Sequence, residues 1–144
     1  MSGHLLDVNV LIALIDPTHV HHDRAHQWFT EVGSRDWLSC PTTQNGAIRV
    51  VSNPRYSNAQ PTPQPAILSL RSLSATGSHR FVPDNISLLD RDIVEAAAIV
   101  TSAEVTDTYL LALARHHDSR LATFDRRIAT TAVPDGKRVV LQIP

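Results

Sequence analysis

The sequence predicts an α/β fold, as a three-layer α/β/α domain with a mainly parallel central sheet. Short apolar runs typical of buried strands alternate along the chain with longer segments of helical periodicity. The 144 residues suit one domain with one core, and a hydrophobic fraction of 42% is ordinary for a globular protein. Strands that alternate with helices pair as parallel strands covered by helices, so we expect one domain over residues 1–144.

The first half of the chain is predicted to hold two strands, four helices and one long loop. Pro17 ends the first helix, and Pro41 opens the third, which ends near Pro54. The loop Arg55–Pro65 is rich in Pro, Asn, Gln and Ser. The predicted strands are His4–Leu6 and Trp37–Cys40, and the predicted helices are Val8–Ile15, His19–Thr30, the segment from Pro41 through Val51, and Ala66–Ala75.

The second half is predicted to hold three strands and three helical segments. The strongest pattern is that of Val105–His117, in which Leu110, Leu111, Leu113 and Ala114 share one face. The other predicted helical segments are Leu88–Val100 and a turn or two over Arg126–Thr131, and the predicted strands are Arg80–Val82, Arg120–Thr123 and Arg138–Ile143.

Charge and cysteine content exclude several classes of protein. The formal net charge of −1 argues against a surface that coats nucleic acid, so any contact with RNA must be local. The single cysteine, Cys40, excludes an internal disulfide, and we expect it buried at the end of a strand. The first sixteen residues carry no basic segment, and Asp7 and Asn9 interrupt their apolar run. We therefore expect no signal peptide and no membrane span, and a soluble cytoplasmic protein.

Three aspartates occupy positions where an α/β fold displays function. Asp7 ends the first predicted strand, Asp125 follows the strand Arg120–Thr123, and Asp107 opens the long helix. Ligands of open parallel sheets bind outside the carboxyl ends of the strands, so the three side chains converge there if the first and fourth strands are neighbours. Converging carboxylates repel each other, and Mg²⁺ or Mn²⁺ relieves that repulsion while activating water near a phosphodiester.

Each aspartate also has a purely structural interpretation. Asp107 could be an N-terminal helix residue after a Thr106 cap, and Asp125 could cap a helix over Arg126–Thr131. Asp7 is harder to explain by packing, because an acid gains little between two apolar segments. Taken together, the three favour a functional site.

Three blocks of sequence resemble the PIN-domain family, and more narrowly its VapC-type toxins. The blocks are DVNVLIAL near the start, CPTTQNGAIRVVSNP in the middle and TDTYLLALARHHDSRLATFDRRI near the end, and they cover nearly the whole chain in order. The resemblance implies an α/β/α homodimer that cleaves RNA endonucleolytically with Mg²⁺ or Mn²⁺. It also implies inhibition by a cognate antitoxin whose tail enters the active-site groove.

Carried over to this sequence, the family's acids fall on Asp7, Asp107 and Asp125. Asn9 matches the small polar residue after the first acid, and Thr123 matches the hydroxyl residue before the last. The family's second acid falls on Gln44, which carries no charge, so we expect weaker metal binding. The residues that could compensate are Asn45, Asp90 and Asp92.

Two further groups of residues carry weaker signals. His19, His21, His22 and His26 lie close in sequence, and the last two have a spacing possible for zinc, but no further ligand is evident, so we expect a structural or surface role. The arginines expected to contact RNA are Arg49, Arg115 and Arg126.

Two alternatives to the ribonuclease stay open at this point. A PIN domain weakened by Gln44 could bind RNA or an antitoxin without efficient cleavage. Phosphoryl transfer through a covalent aspartate is disfavoured, because the position two after Asp7 is Asn9 and the only lysine is Lys137.

Overall fold

The computed structural model describes residues 1–144 and contains one five-stranded sheet. The strands are β1 (Gly3–Leu6), β2 (Trp37–Ser39), β3 (His79–Phe81), β4 (Ser119–Thr123) and β5 (Val140–Gln142). Their order across the sheet is β3-β2-β1-β4-β5, and all four pairings are parallel. All five carboxyl ends therefore lie at one edge of the sheet, with β1 at its centre.

Six α-helices cover the two faces of this sheet. They are α1 (Val8–Ile15), α2 (His22–Glu31), α3 (Pro41–Val51), α4 (Gln64–Ser74), α5 (Val105–His116) and α6 (Gly136–Val139). Buried residues of α1 to α4 form one apolar cluster with one face of the sheet, and residues of α5 and α6 form a second cluster with the other face. The predicted three-layer α/β/α architecture with a parallel sheet is confirmed. None of the helices has the length and apolar character needed to cross a bilayer.

The alternation of side chains along the strands assigns residues to these two clusters. Leu5 packs into the α5 cluster and Leu6 into the α1 cluster, and both are fully buried. Trp37 and Leu38 divide in the same way on β2. A strand buried on both faces is a continuous apolar run, which is the pattern that predicted β1.

The predicted helix Leu88–Val100 is wrong. The segment consists of turns with one 3₁₀ turn at Ala96–Ala98. The side chains of Ser87 and Asp90 accept hydrogen bonds from backbone N–H groups two residues ahead, at 3.0 and 2.9 Å. Such local bonds compete with the helical ones, and the segment buries too little apolar surface to reverse the outcome.

Two smaller predictions near the end of the chain are also corrected. Arg126–Thr131 contains no helix, because Asp125 Oδ1 accepts from Arg127 N at 2.8 Å and closes a local turn. The predicted strand Arg138–Ile143 is divided between α6 and the short strand β5. The second helix starts at His22 instead of His19, since residues 17–21 form turns after α1.

Candidate active site

The pairing of β1 with β4 brings the first and last of the three acids to one place. The register pairs Leu6 with Ala122, so Asp7 and Thr123 follow side by side at the carboxyl edge. Side chains two residues apart on a strand point to the same face of the sheet. Asp7 and Thr123 therefore lie on the α5 side, as Leu5 and Leu121 do. The condition for convergence of Asp7 and Asp125, that the first and fourth strands be neighbours, is met.

The hydroxyl of Thr123 connects these residues. Thr123 Oγ1 donates to Asp7 Oδ2 at 2.7 Å and accepts from the backbone N–H of Asp125 at 3.0 Å and from Asn9 Nδ2 at 3.2 Å. Asn9 Oδ1 in turn accepts from Phe124 N at 3.3 Å. The donor and both acceptor positions of the hydroxyl are used, so the Asp7 carboxylate has one defined orientation.

Asp7 is the most buried of the three acids, at 6% exposure. It is the N-cap of α1, and its Oδ1 accepts from Val8 N at 2.7 Å. Burial raises the pKa of Asp7, and the neighbouring Asp125 raises it further, while the bonds from Thr123 and Val8 N oppose the shift. The charged form is costly here and lacks a counterion.

Asp107 completes the group from α5, the helix on the side of the sheet that Asp7 and Thr123 face. It lies in the first turn of α5, whose N-cap is Glu104, so the expected Thr106 cap is not found. Burial raises the pKa of Asp107 to about 6, and the charges of Asp7 and Asp125 contribute to this rise. The three carboxylates therefore share one electrostatic environment.

No basic side chain neutralises this group. The one ion pair of the protein joins Arg80 to Asp36, away from the three acids. The side chains do not form a preformed cluster of three or more ligands around one point. A hard divalent cation fits such a donor set, since Mg²⁺ keeps several waters and uses few carboxylates.

Gln44, onto which the family's second acid falls, makes no hydrogen bond to the three acids. Gln44 Nε2 donates to Ser39 Oγ at 2.9 Å, and His79 Nε2 bonds to the same hydroxyl at 2.8 Å. Ser39 lies on the α1 side of the sheet, as Trp37 does, and Asp7 lies on the other. Gly46 of α3 lies against the first turn of α1, where an added Cβ would come within 2.8 Å of the Val8 side chain.

The residues suggested as substitutes for the second acid have other surroundings. Asp90 and Asp92 are exposed and bonded to each other within the 87–92 turns. Asn45 is exposed on α3 and lines a polar groove together with Thr42, Gly46, Arg49 and Ser52. None of them contributes to the pKa shifts of Asp7 and Asp107.

The three arginines expected to contact RNA separate into two groups. Arg49 is exposed in the groove beside Gly46, and Arg126 is exposed directly after Asp125. Arg115 lies in the last turn of α5, eight residues from Asp107, which is about 12 Å along the helix axis. The structure therefore separates Arg115 from the acids.

Two of the clustered histidines hold the carboxyl end of α1. His22 Nδ1 bonds to Ala13 O at 2.7 Å and His26 Nε2 to Leu14 O at 3.1 Å. These carbonyls have no partner within a helix that ends at Ile15. The contacts agree with the expected structural role of the pair.

Cys40 is buried at the end of β2, as expected.

Three residues that the sequence did not indicate also lie at this edge: Asp84, Phe124 and Arg24. Asp84 Oδ2 accepts from the backbone N and the hydroxyl of Thr42, at 3.1 and 2.9 Å, and so holds the start of α3. Phe124 stacks on His21 with 4.8 Å between ring centroids, and Arg24 lies over the Phe124 ring at 5.2 Å. The only indication of the aromatic group in the sequence is that Phe124 directly precedes Asp125.

A family model for the PIN domain matches residues 4–134. The chain belongs to the PIN-domain family. Within it, the chain is 47% identical over 130 residues to "Ribonuclease VapC44" of Mycobacterium tuberculosis, an alignment that covers 90% of this chain and 91% of that protein. It is 42% identical to "Ribonuclease VapC38" of the same species over 89% of both chains. The predicted resemblance to VapC-type PIN proteins is confirmed.

A solved structure agrees with this assignment at the level of the fold. The crystal structure of Mycobacterium tuberculosis VapC20, described as a sarcin-ricin loop cleaving toxin, superposes with a TM-score of 0.59. The match covers 87% of this chain and 92% of that one, at 11% sequence identity. At that identity the similarity supports the α/β/α architecture alone.

Proposed function

We propose that this protein is a metal-dependent endoribonuclease and the toxin of a toxin–antitoxin pair. One observation carries the proposal: Asp7, Asp107 and Asp125 interact at the carboxyl edge of the sheet, and none of them forms an ion pair with a basic side chain. The relatives named ribonucleases, up to 47% identical over most of the chain, supply the reaction class.

Asp7, Asp107 and Asp125 would hold Mg²⁺ or Mn²⁺. Oxygen donors suit both ions, and a divalent charge would relieve the repulsion that raises the pKa values of Asp7 and Asp107. The chemistry that such an ion supplies is neutralisation of the phosphate oxygens and activation of water as the nucleophile.

The remaining residues of the site orient these acids and the substrate. Thr123 holds the Asp7 carboxylate and the backbone of Asp125 in one arrangement, and Asn9 holds Thr123. Arg49, exposed in the groove along α3, and Arg126, exposed directly after Asp125, bind phosphates of the RNA strand. We no longer assign such a role to Arg115, which lies at the far end of α5.

Asp7→Asn tests the proposal. Asparagine keeps the N-cap of α1 and removes one charge. With bulk transfer and ribosomal RNA, wild type cleaves in Mg²⁺ or Mn²⁺ and stops in EDTA, and Asp7→Asn cleaves about a hundredfold more slowly. The matched control is Asp23→Asn, an exposed position on α2. Cleavage that survives EDTA, or that is equal in Asp7→Asn and wild type, contradicts the proposal.

The proposed partners are a cognate antitoxin and a second copy of this chain. The resemblance to VapC-type toxins supports both proposals. Coexpression with the product of a short neighbouring reading frame tests the first: a stable complex that suppresses cleavage supports it. Light scattering of the purified protein tests the second, since a monomer at micromolar concentration contradicts the homodimer.

A further inference from the structure

A small aromatic and cationic group adjoins the three acids and takes no part in the roles assigned above. His21, Arg24 and Phe124 form it, and we refer to it as the His21 platform. The rings of His21 and Phe124 stack at 4.8 Å with 25° between their planes. The guanidinium of Arg24 lies 5.2 Å from the centroid of the Phe124 ring.

The platform adjoins the acids along the chain through Phe124. Phe124 stands between Thr123 and Asp125, so its Cα is about 3.8 Å from that of Asp125. Side chains alternate along the chain here, and Phe124 packs on the α1 side while Asp7 and Thr123 face α5. A strand of RNA that crosses the edge of the sheet would meet both.

Arg24 fixes the hydrogen-bonding state of His21. Arg24 Nη1 is 3.0 Å from His21 Nδ1, and Arg24 Nε donates to Pro144 O at 2.9 Å. A guanidinium only donates, so Nδ1 accepts and the proton of the neutral ring is on Nε2. No hydrogen bond within the protein uses this Nε2, which leaves a donor on a half-buried ring.

Helix capping does not account for the residue at position 21. His21 is the N-cap of α2, yet its side chain makes no capping bond. Ser, Thr, Asp and Asn are preferred at an N-cap because their side chains can make that bond. The His21 ring instead stacks on the ring of Phe124. Phe124 is half-buried and directly follows Leu121, Ala122 and Thr123, which are fully buried.

We infer that the His21 platform binds one unstacked base of single-stranded RNA next to the scissile phosphate. Aromatic and imidazole rings stack on splayed bases in single-stranded RNA, and this contact tolerates any base while a donor such as Nε2–H selects among them. The adjacent Arg24 adds positive charge for the strand's phosphates. This inference rests on the proposed ribonuclease activity and names a specificity-determining contact for it.

The test compares cleavage of a pool of short single-stranded RNAs of random sequence by wild type, His21→Ala, His21→Phe and His116→Ala. The last is a matched control, an exposed histidine near the end of α5, nine residues and about 13 Å from Asp107. The readouts are the base profile around the cut sites, and kcat and KM on one RNA from the pool.

We expect His21→Ala to raise KM roughly five- to a hundredfold, the range that loss of one base stack gives, with kcat kept within about threefold. The base preference at one position beside the cut should weaken. His21→Phe keeps the stack and loses the donor, so KM should recover while the base preference stays weak. A wild-type KM and base profile in folded His21→Ala overturn the inference, as does a fall in kcat alone. If His21→Ala does not fold, His21→Phe with an unchanged base profile overturns it.

The platform can also be tested if the protein proves not to cleave RNA. If wild type cuts no RNA in Mg²⁺ or Mn²⁺, fluorescence anisotropy with the same labelled RNA pool replaces the cleavage assay. Weaker RNA binding by His21→Ala than by His116→Ala then supports the platform, and equal binding overturns it. Unchanged binding of RNA with weaker binding of the antitoxin would assign the platform to the protein partner and also overturns the inference.

Discussion

At the scale of single residues, Thr123 shows how the site is organised. Its hydroxyl makes three hydrogen bonds, to a carboxylate, an amide side chain and a backbone N–H. It is fully buried, so no water can replace a lost partner without rearrangement. The orientation of Asp7 therefore depends on one hydroxyl group contributed from the neighbouring strand.

Thr123→Val keeps the shape of this side chain and removes the hydroxyl. The buried oxygens and N–H groups that it satisfied lose a partner, which we expect to lower the free energy of unfolding by about 1–3 kcal/mol. Misorientation of Asp7 should slow RNA cleavage about a hundredfold. Urea unfolding and cleavage assays measure the two effects. Thr131→Val, an exposed position without side-chain hydrogen bonds, serves as control, and equal cleavage by both variants would refute the role of the hydroxyl.

Gln44→Glu tests whether position 44, onto which the family's second acid falls, contributes to the site. Gln44 bonds to Ser39 and makes no hydrogen bond to the acids, so we predict that a carboxylate at this position stays outside their site. We expect cleavage within about twofold of wild type and of Gln64→Glu, an exposed control that adds the same charge. A gain of tenfold or more in a metal titration would show that position 44 does contribute to the site, and would revive the interpretation of a weakened PIN domain.

At the scale of elements, residues of other helices and loops contact both ends of α1. Gly46 of α3 lies against Val8 at its first turn. His22 and His26 of α2 bond to its last carbonyl oxygens, while Asp16 after the helix accepts from Tyr56 and Asn58. Because Asp7 caps this short helix, the contacts that hold α1 also position the acid.

His22→Ala and His26→Ala test the structural role of the histidine pair. Each removes one hydrogen bond to an end carbonyl, and we expect a loss of about 1 kcal/mol in the free energy of unfolding for each. His116→Ala should cost less than about 0.5 kcal/mol, as an exposed substitution does. Zinc should leave the Tm of wild type unchanged. A rise in Tm with zinc that disappears in His22→Ala would show a metal site instead.

At the scale of the whole molecule, the parallel sheet places acids from distant parts of the chain at one edge. Asp7 and Thr123 are 116 residues apart in sequence and in contact in the fold. The resulting repulsion is a cost to the metal-free fold, expressed as the raised pKa values of Asp7 and Asp107. Stability and the proposed activity therefore depend on the same three charges in opposite ways.

The pH dependence of stability follows from Asp107. Its folded pKa of about 6 lies above the ordinary value of 3.8, through burial first and the charges of Asp7 and Asp125 second. The folded state holds this proton more tightly, so its contribution to stability is complete below pH 3.8 and is lost as pH rises to about 6. After allowance for solvent screening, we expect a loss of about 1–2 kcal/mol, or a few degrees in Tm.

Asp107→Asn isolates this contribution from those of other titrating groups. The Tm difference between the metal-free variant and wild type should move in favour of the variant as pH rises from 4 to 7. Mg²⁺ should raise the Tm of wild type at pH 7 by mass action and that of Asp107→Asn much less. Parallel Tm curves for the two proteins over this range would show that Asp107 is not coupled to the other acids.

The positions of Asp7 and Asp125 could be predicted from the sequence, because a residue after a buried strand of a parallel sheet can lie only at the carboxyl edge. Gln44 could not be placed in that way. Helical residues turn by about 100° each, so Gln44 and Gly46 point in nearly opposite directions, and the sequence does not say which faces α1. The segment 88–100 misled for a related reason, since its apolar spacing is helical while its Ser and Asp side chains favour turns.

The sequence by itself determined the alternation of strands and helices, the family and the three acids, because hydrophobic periodicity and strand ends are local properties of the chain. The tertiary structure alone decided which side chains share the edge: Thr123 with Asp7 and Asn9, Gln44 with Ser39, and His21 with Phe124. Those contacts depend on strand order, register and helix rotation, which are set by packing between segments far apart in sequence.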